Sequence, residues 1–390
     1  MRSSTIDKEI KSEREELKRA KRERKNGKKE DKEKYTTGNK VKIVFTHLFR
    51  LGIIGIIAVL VLLYGPYNGF RDWLVTTAMT TMTHQYFATW FYDDEVINSV
   101  LGKNKVVESN ETTDISQIDT DDNKTTEYAN EYERQILERD EKNNDYKIIN
   151  ITGKGYSGYL VAVYDPSRVK TVVTSKLGVT GQYVTTMARN NDALIAINGG
   201  GFNDPNYNST GGSPLGITVV NGKYVTSDSY KGAGGIIGFT EDDKFVLGKM
   251  TVTEAKKMKI RDAVTFGPFL IVNGKSSEVL GNGGWGTAPR TAIGQRKDGI
   301  VLFLVLDGRT ATKPGADMDD LIEVMERYGA YNAANLDGGT SSVLVVGDTI
   351  VNDPIDSTGA HKTRPISTAF IVTKDESDDS DHSVVANKLK

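Results

Sequence analysis

The sequence predicts an α+β protein: a β-rich mixed-sheet domain with few helices, preceded by one N-terminal transmembrane helix. Between residues 146 and 374, short runs of β-branched and aromatic residues alternate with glycine turns, a pattern typical of strands joined by tight turns. Helical periodicity is sparse in this region. It is clearest over Asp317–Tyr328, where five large side chains share one face and Gly329 follows as a stop. One long apolar stretch precedes the domain, and together these observations define the fold class.

Residues 1–42 form a basic tail in which lysines and arginines are interleaved with acidic residues, and apolar residues are few. Such a composition is typical of a solvated segment rather than of a packed domain. Because acidic residues are interleaved with the basic ones, nucleic acid is not the expected partner. We expect this tail to be cytoplasmic.

Residues 43–67 are predicted to span a membrane. The core from Leu51 to Tyr64 is uninterrupted apolar sequence, and with the flank that contains His47 and Arg50 it reaches the ~20 residues that a spanning helix needs. A cleaved signal peptide is the main alternative, but its charged region would be unusually long and no small-x-small cleavage site follows. We therefore expect a single-pass signal anchor in the cell membrane, with the N-terminus cytoplasmic and the C-terminal domain extracellular.

Two further segments flank the domain. Residues 68–145 begin with an aromatic stretch, expected to pack as a helix on the domain or at the membrane interface. They continue as a polar stretch rich in Asn, Thr, Asp and Glu, expected to form an extracellular stalk. Residues 375–390 are polar, and we expect a disordered tail there.

The composition excludes several kinds of chemistry. Cysteine is absent, which rules out disulfides, thiolate metal sites and cysteine nucleophiles. The four histidines are scattered, so neither a zinc site with several histidine ligands nor a serine–histidine pair is expected. A phosphate-loop pattern with its lysine is also lacking, which disfavours nucleotide hydrolysis. Carboxylates and arginines therefore remain as the catalytic groups.

Three apolar runs end in a polar side chain that a glycine follows at once. The polar residues at the ends of these runs are Asn198, Asp307 and Asp337. Ligands tend to bind beyond the carboxyl ends of strands. One strand-end Asp-Gly is ordinary turn chemistry, but three in one domain indicate a shared pocket. The backbone N–H groups of the glycine turns after Asn198 and Asp337 are of the kind that bind oxyanions.

Three arginines are the expected counter-charges. Arg290 lies between a glycine-rich loop and a short strand, Arg309 follows Asp307 by two residues, and Arg364 precedes the last strand. The planar fork of arginine grips phosphates and carboxylates bidentately, and a salt bridge to a neighbouring aspartate is the alternative. Two carboxylates that flank a scissile bond are what most glycosidases use, and an arginine adds a means of holding a phosphate.

A bound divalent cation is a competing use of the same oxygen atoms. Asp307, Asp337, Asn198 and nearby backbone carbonyls are hard oxygen ligands of the kind that calcium takes. The sequence makes no cofactor certain, and a divalent cation such as calcium stays an alternative.

Four motifs in this order and spacing resemble the phosphodiester glycosidase family: Asn198–Phe202, Pro289–Gly294, Asp307–Arg309 and Asn335–Ser342. The resemblance covers about residues 150–372 and implies cleavage of the sugar C1–O bond of a glycosyl-1-phosphodiester. The family includes an enzyme that removes N-acetylglucosamine from a phosphodiester linked to mannose. This chain departs from the family pattern at Gly201, where a second aromatic residue is frequent, and at Thr340, where a third glycine is usual. The identity of the substrate therefore does not transfer.

The resemblance implies that Asp307, Asp337 and Arg290 are catalytic. One aspartate is expected to act as nucleophile or base, and the other to orient substrate or water. Charge neutralisation by arginine would suit a phosphomonoester leaving group, while retention or inversion depends on the separation of the two carboxylates. The residues expected to bind substrate lie in the same motifs and before the last strand: Asn198, Gly200, Phe202, Arg309, Gly338, Gly339, Thr340, Ser341 and Arg364.

For an anchored, outward-facing domain, the expected partners are cell-surface glycans that contain sugar phosphates. Teichoic-acid-like cell-wall polymers and exopolysaccharide are the examples we consider. A non-catalytic module that binds or assembles such polymers with the same pocket is the alternative function. A third hypothesis is a structural protein of polysaccharide export whose aromatic segment contacts a membrane partner.

Overall fold

The structure is a computed structural model that describes residues 2–34, 37–80, 84–121, 127–139, 143–203, 210–374, 385–386 and 389. The chain divides into two compact units, Met1–Arg71 and Asp72–Lys390. The described residues form nine helices, and 19 strands in four sheets. The predicted fold class, a β-rich α+β domain after an apolar N-terminal helix, is thereby confirmed.

The first unit is helical. It contains α1 (Arg2–Lys34), which carries most of the basic tail, and α2 (Thr37–Tyr64). Within α2, the stretch Lys40–Tyr64 is long and apolar enough to cross a membrane. It is one such helix among the described residues, and its length and composition fit either a membrane anchor or a signal sequence.

The other helices of the described residues are short. They are α3 (Asn68–Thr80), α4 (Tyr86–Thr89), α5 (Asp94–Lys103), α6 (Glu131–Leu137), α7 (Val184–Asn190), α8 (Val252–Lys257) and α9 (Met318–Arg327). The helix predicted over Asp317–Tyr328 is α9, and its apolar face is buried as the periodicity requires. Asp317 caps α9, since its carboxylate accepts a hydrogen bond from the backbone N–H of Asp320 (3.0 Å) and the reciprocal bond is also made.

The strands form one seven-stranded sheet, two five-stranded sheets and one pair, and neighbouring strands are antiparallel throughout the described residues. In spatial order the large sheet contains β12 (Lys275–Ser276), β11 (Phe269–Val272), β16 (Ala330–Asn335), β14 (Arg290–Arg296), β15 (Val301–Asp307), β3 (Tyr156–Val163) and β2 (Tyr146–Gly153). A second sheet contains β18 (Thr349–Ile350), β17 (Leu344–Val346), β5 (Ala193–Asn198), β19 (Thr368–Thr373) and β4 (Val169–Val173). A third contains β7 (Lys223–Ser227), β6 (Ile217–Val220), β10 (Ile260–Phe266), β8 (Gly235–Thr240) and β9 (Phe245–Gly248). The pair is β1 (Lys105–Val107) with β13 (Glu278–Leu280).

One hydrophobic core joins the three larger sheets. Phe303 of β15, Phe370 of β19 and Phe239 of β8 are all fully buried in it, and burial of such rings stabilises a fold by roughly 1.5–3 kcal/mol each. The outer face of the large sheet is covered by α9 and α6, which pack on its alternate side chains. Packing of the inward-facing side chains therefore fixes the position of each sheet relative to the others. The candidate site lies at the edges of these sheets.

The polar stretch between the aromatic segment and the domain is folded against the domain over its described residues. Strand β1 pairs with β13, Ile118 and Ile136 are buried, and the hydroxyl of Thr113 accepts a hydrogen bond from the backbone N–H of Leu247 (2.9 Å). The structure thus differs from the expectation of a stalk. Ile118 and Ile136 are buried one at a time and lie far apart in sequence, and such spacing leaves no periodic signal.

The structure describes three residues of the C-terminal tail, 385–386 and 389. Ala386 is buried against the main core, and the hydroxyl of Tyr159 donates a hydrogen bond to the carbonyl of Leu389 (3.0 Å). The prediction of a disordered tail over 375–390 otherwise lies outside the described residues.

Candidate active site

The antiparallel order of the large sheet gathers three of the motifs at one edge. Strands β15 and β16 lie on either side of β14 and both run opposite to it, so they are parallel to each other. Their carboxyl ends therefore meet at the edge where β14 begins. Asp307 ends β15, Asp337 follows β16, and Arg290 is the first residue of β14.

A cleft of about 370 Å³ opens at this edge. Of the groups predicted to act, Asp337, Arg290, Arg309 and Arg364 all line it, as do the predicted binding residues Phe202, Gly338, Gly339 and Thr340. Asp337 is the carboxylate among the described lining residues, and it faces three arginines. The cleft therefore carries positive charge, which suits an anionic ligand.

Asp337 is held in place through both its backbone and its side chain. One carboxylate oxygen, Oδ2, accepts a hydrogen bond from Nη2 of Arg364 (3.1 Å), and the other accepts from the backbone N–H of Gly338 (3.0 Å). The backbone N–H of Asp337 donates to the carbonyl of Gly199 (3.2 Å). Its side chain is 15% exposed, so the carboxylate is ordered yet open to a ligand.

Arg290 is buried, and its guanidinium is held by backbone carbonyls. Nε donates to the carbonyl of Ala316 (3.1 Å), and Nη2 donates to the carbonyls of Trp285 and Gly286 (2.6 Å each). Among the described residues no carboxylate lies within ion-pair distance of it, so the salt-bridge alternative does not apply there. Burial lowers the pKa of Arg290 to about 10, and the nearby charge of Asp317 opposes that shift. At neutral pH this is a cation without a contacting anion.

Arg309 and Arg364 complete the positive wall. Nη1 of Arg309 donates to the hydroxyl of Thr340 and to the carbonyl of Ile355 (2.9 Å each). Burial lowers the pKa of Arg309, and the like charge of Arg364 lowers it further. The guanidinium of Arg364 lies 4.7 Å from the centre of the Phe202 ring, and its Nε donates to the hydroxyl of Ser341 (2.7 Å). Like charges held this close favour an anion between them.

Three residues predicted to bind substrate lie behind the cleft and position its lining. Asn198 is fully buried, and its amide donates to the carbonyl of Asp337 while its oxygen accepts from the hydroxyl of Thr291 (2.7 Å). The backbone N–H of Gly200 donates to the hydroxyl of Thr368 (3.0 Å), and Ser341 accepts from Arg364 as described above. These contacts give the three residues a role in positioning the cleft lining, without placing them against a ligand.

Asp307 does not line the cleft, in contrast to its predicted catalytic role. Its Oδ1 accepts hydrogen bonds from the side-chain amide of Asn352 (2.8 Å) and from the backbone N–H of Asp353 (3.1 Å). Burial raises the pKa of Asp307, and these two hydrogen bonds oppose the shift. Asp307 therefore anchors the loop that begins at Asn352 and brings Ser357 to the cleft. The strand-end position was predicted correctly, but Oδ1 of the side chain binds this loop rather than the cleft.

The oxygen ligands considered for calcium do not converge on the cleft, because Asp337 lines it while Asp307 and Asn198 do not. Within the part of the chain that the structure describes, no group of three or more carboxylate or histidine side chains is arranged to hold a metal ion.

Sequence reasoning missed the apolar wall of the cleft and the contribution of α3. Phe266 and Trp285 form the apolar wall, with ring centres 6.0 Å apart at an interplanar angle of 65°. Trp285 lies in the glycine-rich loop before Arg290, and this position was the sequence signal that could have identified it. Thr77 and Thr80 of α3 also line the cleft, and two threonines on a helix far upstream give no signal at all.

The fold is thus an α+β domain whose cleft carries three arginines and one carboxylate. A family model described as phosphodiester glycosidase matches residues 191–373, which contain all four motifs. Over these residues the domain is similar to the phosphodiester glycosidase family. This similarity agrees with the predicted enzyme class, a glycosidase that acts on glycosyl phosphodiesters.

Two known proteins are similar to this chain in sequence. The SPbeta prophage-derived uncharacterized protein YomE of Bacillus subtilis (strain 168) is 27% identical over 203 residues, which are 50% of this chain and 30% of that protein. N-acetylglucosamine-1-phosphodiester alpha-N-acetylglucosaminidase of Mus musculus is 26% identical over 239 residues, 54% of this chain and 43% of that protein. The chain thus spans less than half the length of either.

A solved structure shares the fold. The catalytic domain of zebrafish N-acetylglucosamine-1-phosphodiester alpha-N-acetylglucosaminidase, auto-inhibited by its pro-peptide, superposes with a TM-score of 0.50 at 21% identity. The match covers 60% of this chain and 86% of that one. At this identity the similarity establishes the architecture of the domain.

Proposed function

We propose that this chain is a membrane-anchored hydrolase that cleaves the glycosidic C1–O bond of a glycosyl-1-phosphodiester. The observation that carries the proposal is the position of Asp337, a partly exposed carboxylate in a cleft with three arginines. The arginines suit the phosphate, and the carboxylate suits the anomeric carbon beside it. The name of the mouse relative supports an N-acetylglucosamine-1-phosphodiester-like substrate.

The chemistry follows from the charges. When the C1–O bond breaks, its electrons stay on the phosphate oxygen, and the leaving phosphomonoester gains negative charge. Fixed cations in a partly dry cleft stabilise that charge in the transition state, so a strong general acid is less necessary. Asp337 acts on the other side of the bond, as base for the attacking water or as nucleophile. Water supplies the hydroxyl group at C1, and its proton leaves through the carboxylate.

The apolar wall gives the sugar a place to bind. Phe266 and Trp285 line the cleft with Arg290, and aromatic rings commonly pack against the less polar faces of ligands. Phosphate and sugar would therefore contact different walls, with the scissile bond near Asp337.

The proposed setting is the outer surface of a cell membrane. The apolar stretch Lys40–Tyr64 supports anchoring, and the basic tail before it supports a cytoplasmic N-terminus. Suitable substrates there are cell-wall or exopolysaccharide glycans joined by sugar-1-phosphate links, such as a teichoic-acid-like polymer. A binding module that uses the same cleft without turnover is the alternative that the next experiment addresses.

Hydrolysis in ¹⁸O-labelled water tests the bond that breaks. The full chain, incubated with an N-acetylglucosamine-1-phosphodiester, should release sugar with the label on the C1 hydroxyl, because water attacks carbon. Mass spectrometry of both products measures this. Label in the phosphate would contradict glycosidic cleavage, and binding without any release of sugar from a panel of glycosyl-1-phosphodiesters would favour the binding module.

The absence of native cysteine permits a clean test of membrane topology. We expect a Ser175→Cys variant to react with a membrane-impermeant maleimide on intact cells, because Ser175 is exposed on the domain. A Ser12→Cys variant, in the basic tail, should react only after permeabilisation. The reverse pattern would contradict the topology, and release of a protein shortened by α2 would identify a cleaved signal sequence.

A further inference from the structure

Helix α3 contacts the loop that precedes Arg290, residues 282–287, which we call the Arg290 loop. The hydroxyl of Thr80 lies within hydrogen-bond distance of the carbonyl of Trp285 (3.2 Å) and of the helix carbonyls of Thr76 (2.9 Å) and Thr77 (3.1 Å). The side-chain amide of Asn282 donates to the hydroxyl of Thr76 (2.8 Å). The loop therefore contacts α3 at Asn282 and at Trp285.

The middle of the loop packs closely on the same helix. Gly286 has a positive φ of 58°, and a Cβ added there would lie 2.5 Å from the hydroxyl oxygen of Thr77. Glycine is the residue that satisfies both conditions, since it tolerates positive φ and leaves room for the helix. The contact between α3 and the Arg290 loop is thus close and shape-complementary.

The same loop holds the guanidinium of Arg290. The carbonyl of Trp285 accepts from Nη2 of Arg290 (2.6 Å) and also lies 3.2 Å from the hydroxyl oxygen of Thr80. One backbone carbonyl of the loop therefore contacts both α3 and the buried cation of the cleft. Displacement of that carbonyl would move an arginine whose other partners are also backbone carbonyls.

We propose that α3 is a positioning element of the active site, which fixes the Arg290 loop and thereby sets the affinity of the cleft for a phosphate group. Helix α3 lies outside residues 191–373, the part matched by the family model, so this chain supplies part of its own site from upstream sequence. The identity of the ligand as phosphate rests on the proposed function. Thr76, Thr77 and Thr80 act through the loop and through Arg290 rather than on the scissile bond.

Two conservative substitutions test the proposal in the full chain. Thr80→Val removes the hydroxyl that contacts the carbonyl of Trp285, and Thr76→Val removes the acceptor of Asn282, each with little change of shape. A single lost hydrogen bond corresponds to about a 5-fold change in an equilibrium constant. We expect each variant to weaken binding of inorganic phosphate about 5-fold, measured by titration calorimetry, and to raise KM for the diester by a similar factor. The double variant should lose roughly 20-fold.

The control is Thr226→Val, which removes a comparable hydrogen bond from a threonine hydroxyl to the carbonyl of Gly216 (2.9 Å) on the third sheet. It should lower thermal stability as much as Thr80→Val does and leave phosphate affinity unchanged. Wild-type phosphate affinity in both folded α3 variants would overturn the proposal, as would an equal loss in the control. Phosphate binding needs no turnover, so weakened binding in α3 variants of a chain that cleaves no diester would support this inference and refute the hydrolase function.

Discussion

Replacing Asp337 with asparagine is expected to reduce kcat for release of sugar by about 10²–10⁴-fold, the range for loss of a catalytic acid or base. Asparagine keeps the size of the side chain and can still accept from the backbone N–H of Gly338. It cannot take a proton from water or attack the anomeric carbon. Binding of inorganic phosphate should be largely retained, because the three arginines are untouched.

The matched control is Asp307→Asn, the second aspartate of the motif set. Its Oδ1 accepts two hydrogen bonds, from Asn352 and from the backbone N–H of Asp353, and an asparagine oxygen can accept both. We expect less than about a 10-fold loss of kcat and a change in unfolding free energy within ~1 kcal/mol. Equal loss in the two variants would show that Asp307 reaches the reaction after all. Full activity in Asp337→Asn would remove Asp337 from the mechanism.

The comparison of Asp307 and Asp337 shows which features of the site could be predicted from the sequence. Both follow a buried strand and precede a glycine, and the antiparallel order of the sheet brings both strand ends to one edge, as expected. Which carboxylate faces the cleft depends on a loop some 45 residues further on, where Asn352 meets Asp307. Strand patterns carry information about backbone direction and alternate faces, but not about such distant side-chain partners.

The same reasoning explains the outcome for the other motif residues. Asn198 is fully buried and hydrogen-bonded to the backbone of Asp337. Its role in the motif is therefore to support the position of Asp337. The contribution of α3 was missed for a related reason. Threonines contacting a loop 205 residues away leave no local pattern, and their role becomes visible only when tertiary contacts are known.

The roles of the three arginines become clear when their hydrogen-bond partners are compared. A salt bridge to a neighbouring aspartate was the alternative for each arginine, and among the described residues only Arg364 forms one, with Asp337. Arg290 instead uses three backbone carbonyls, and Arg309 uses the Thr340 hydroxyl and one carbonyl. These neutral acceptors satisfy N–H donors but leave the positive charge uncompensated. A site with such a charge is suited to bind an anionic ligand tightly.

Replacing Arg290 with lysine is expected to lower kcat/KM by about 10²–10³-fold, the usual cost of losing one donor that stabilises an oxyanion. In the structure Nε and Nη2 satisfy the three carbonyls, while Nη1 lies 3.7 Å from the position that a Cβ on Gly338 would occupy. Nη1 is therefore the donor turned toward the glycine turn after Asp337. A lysine ammonium has one nitrogen, and the same carbonyls would occupy it, so the charge would remain but the donor toward the ligand would be lost.

Arg296→Lys is the control for Arg290→Lys. Arg296 is also buried on β14, but it pairs with Asp298 and the carbonyl of Tyr328 at the opposite end of the strand. Steady-state kinetics, phosphate titration and thermal melts of both variants separate the effects. We expect similar losses of stability, but losses of phosphate affinity and of kcat/KM only for Arg290→Lys. A kcat/KM within about 3-fold of wild type in a folded Arg290→Lys variant would mean that charge alone suffices and that the planar fork is dispensable.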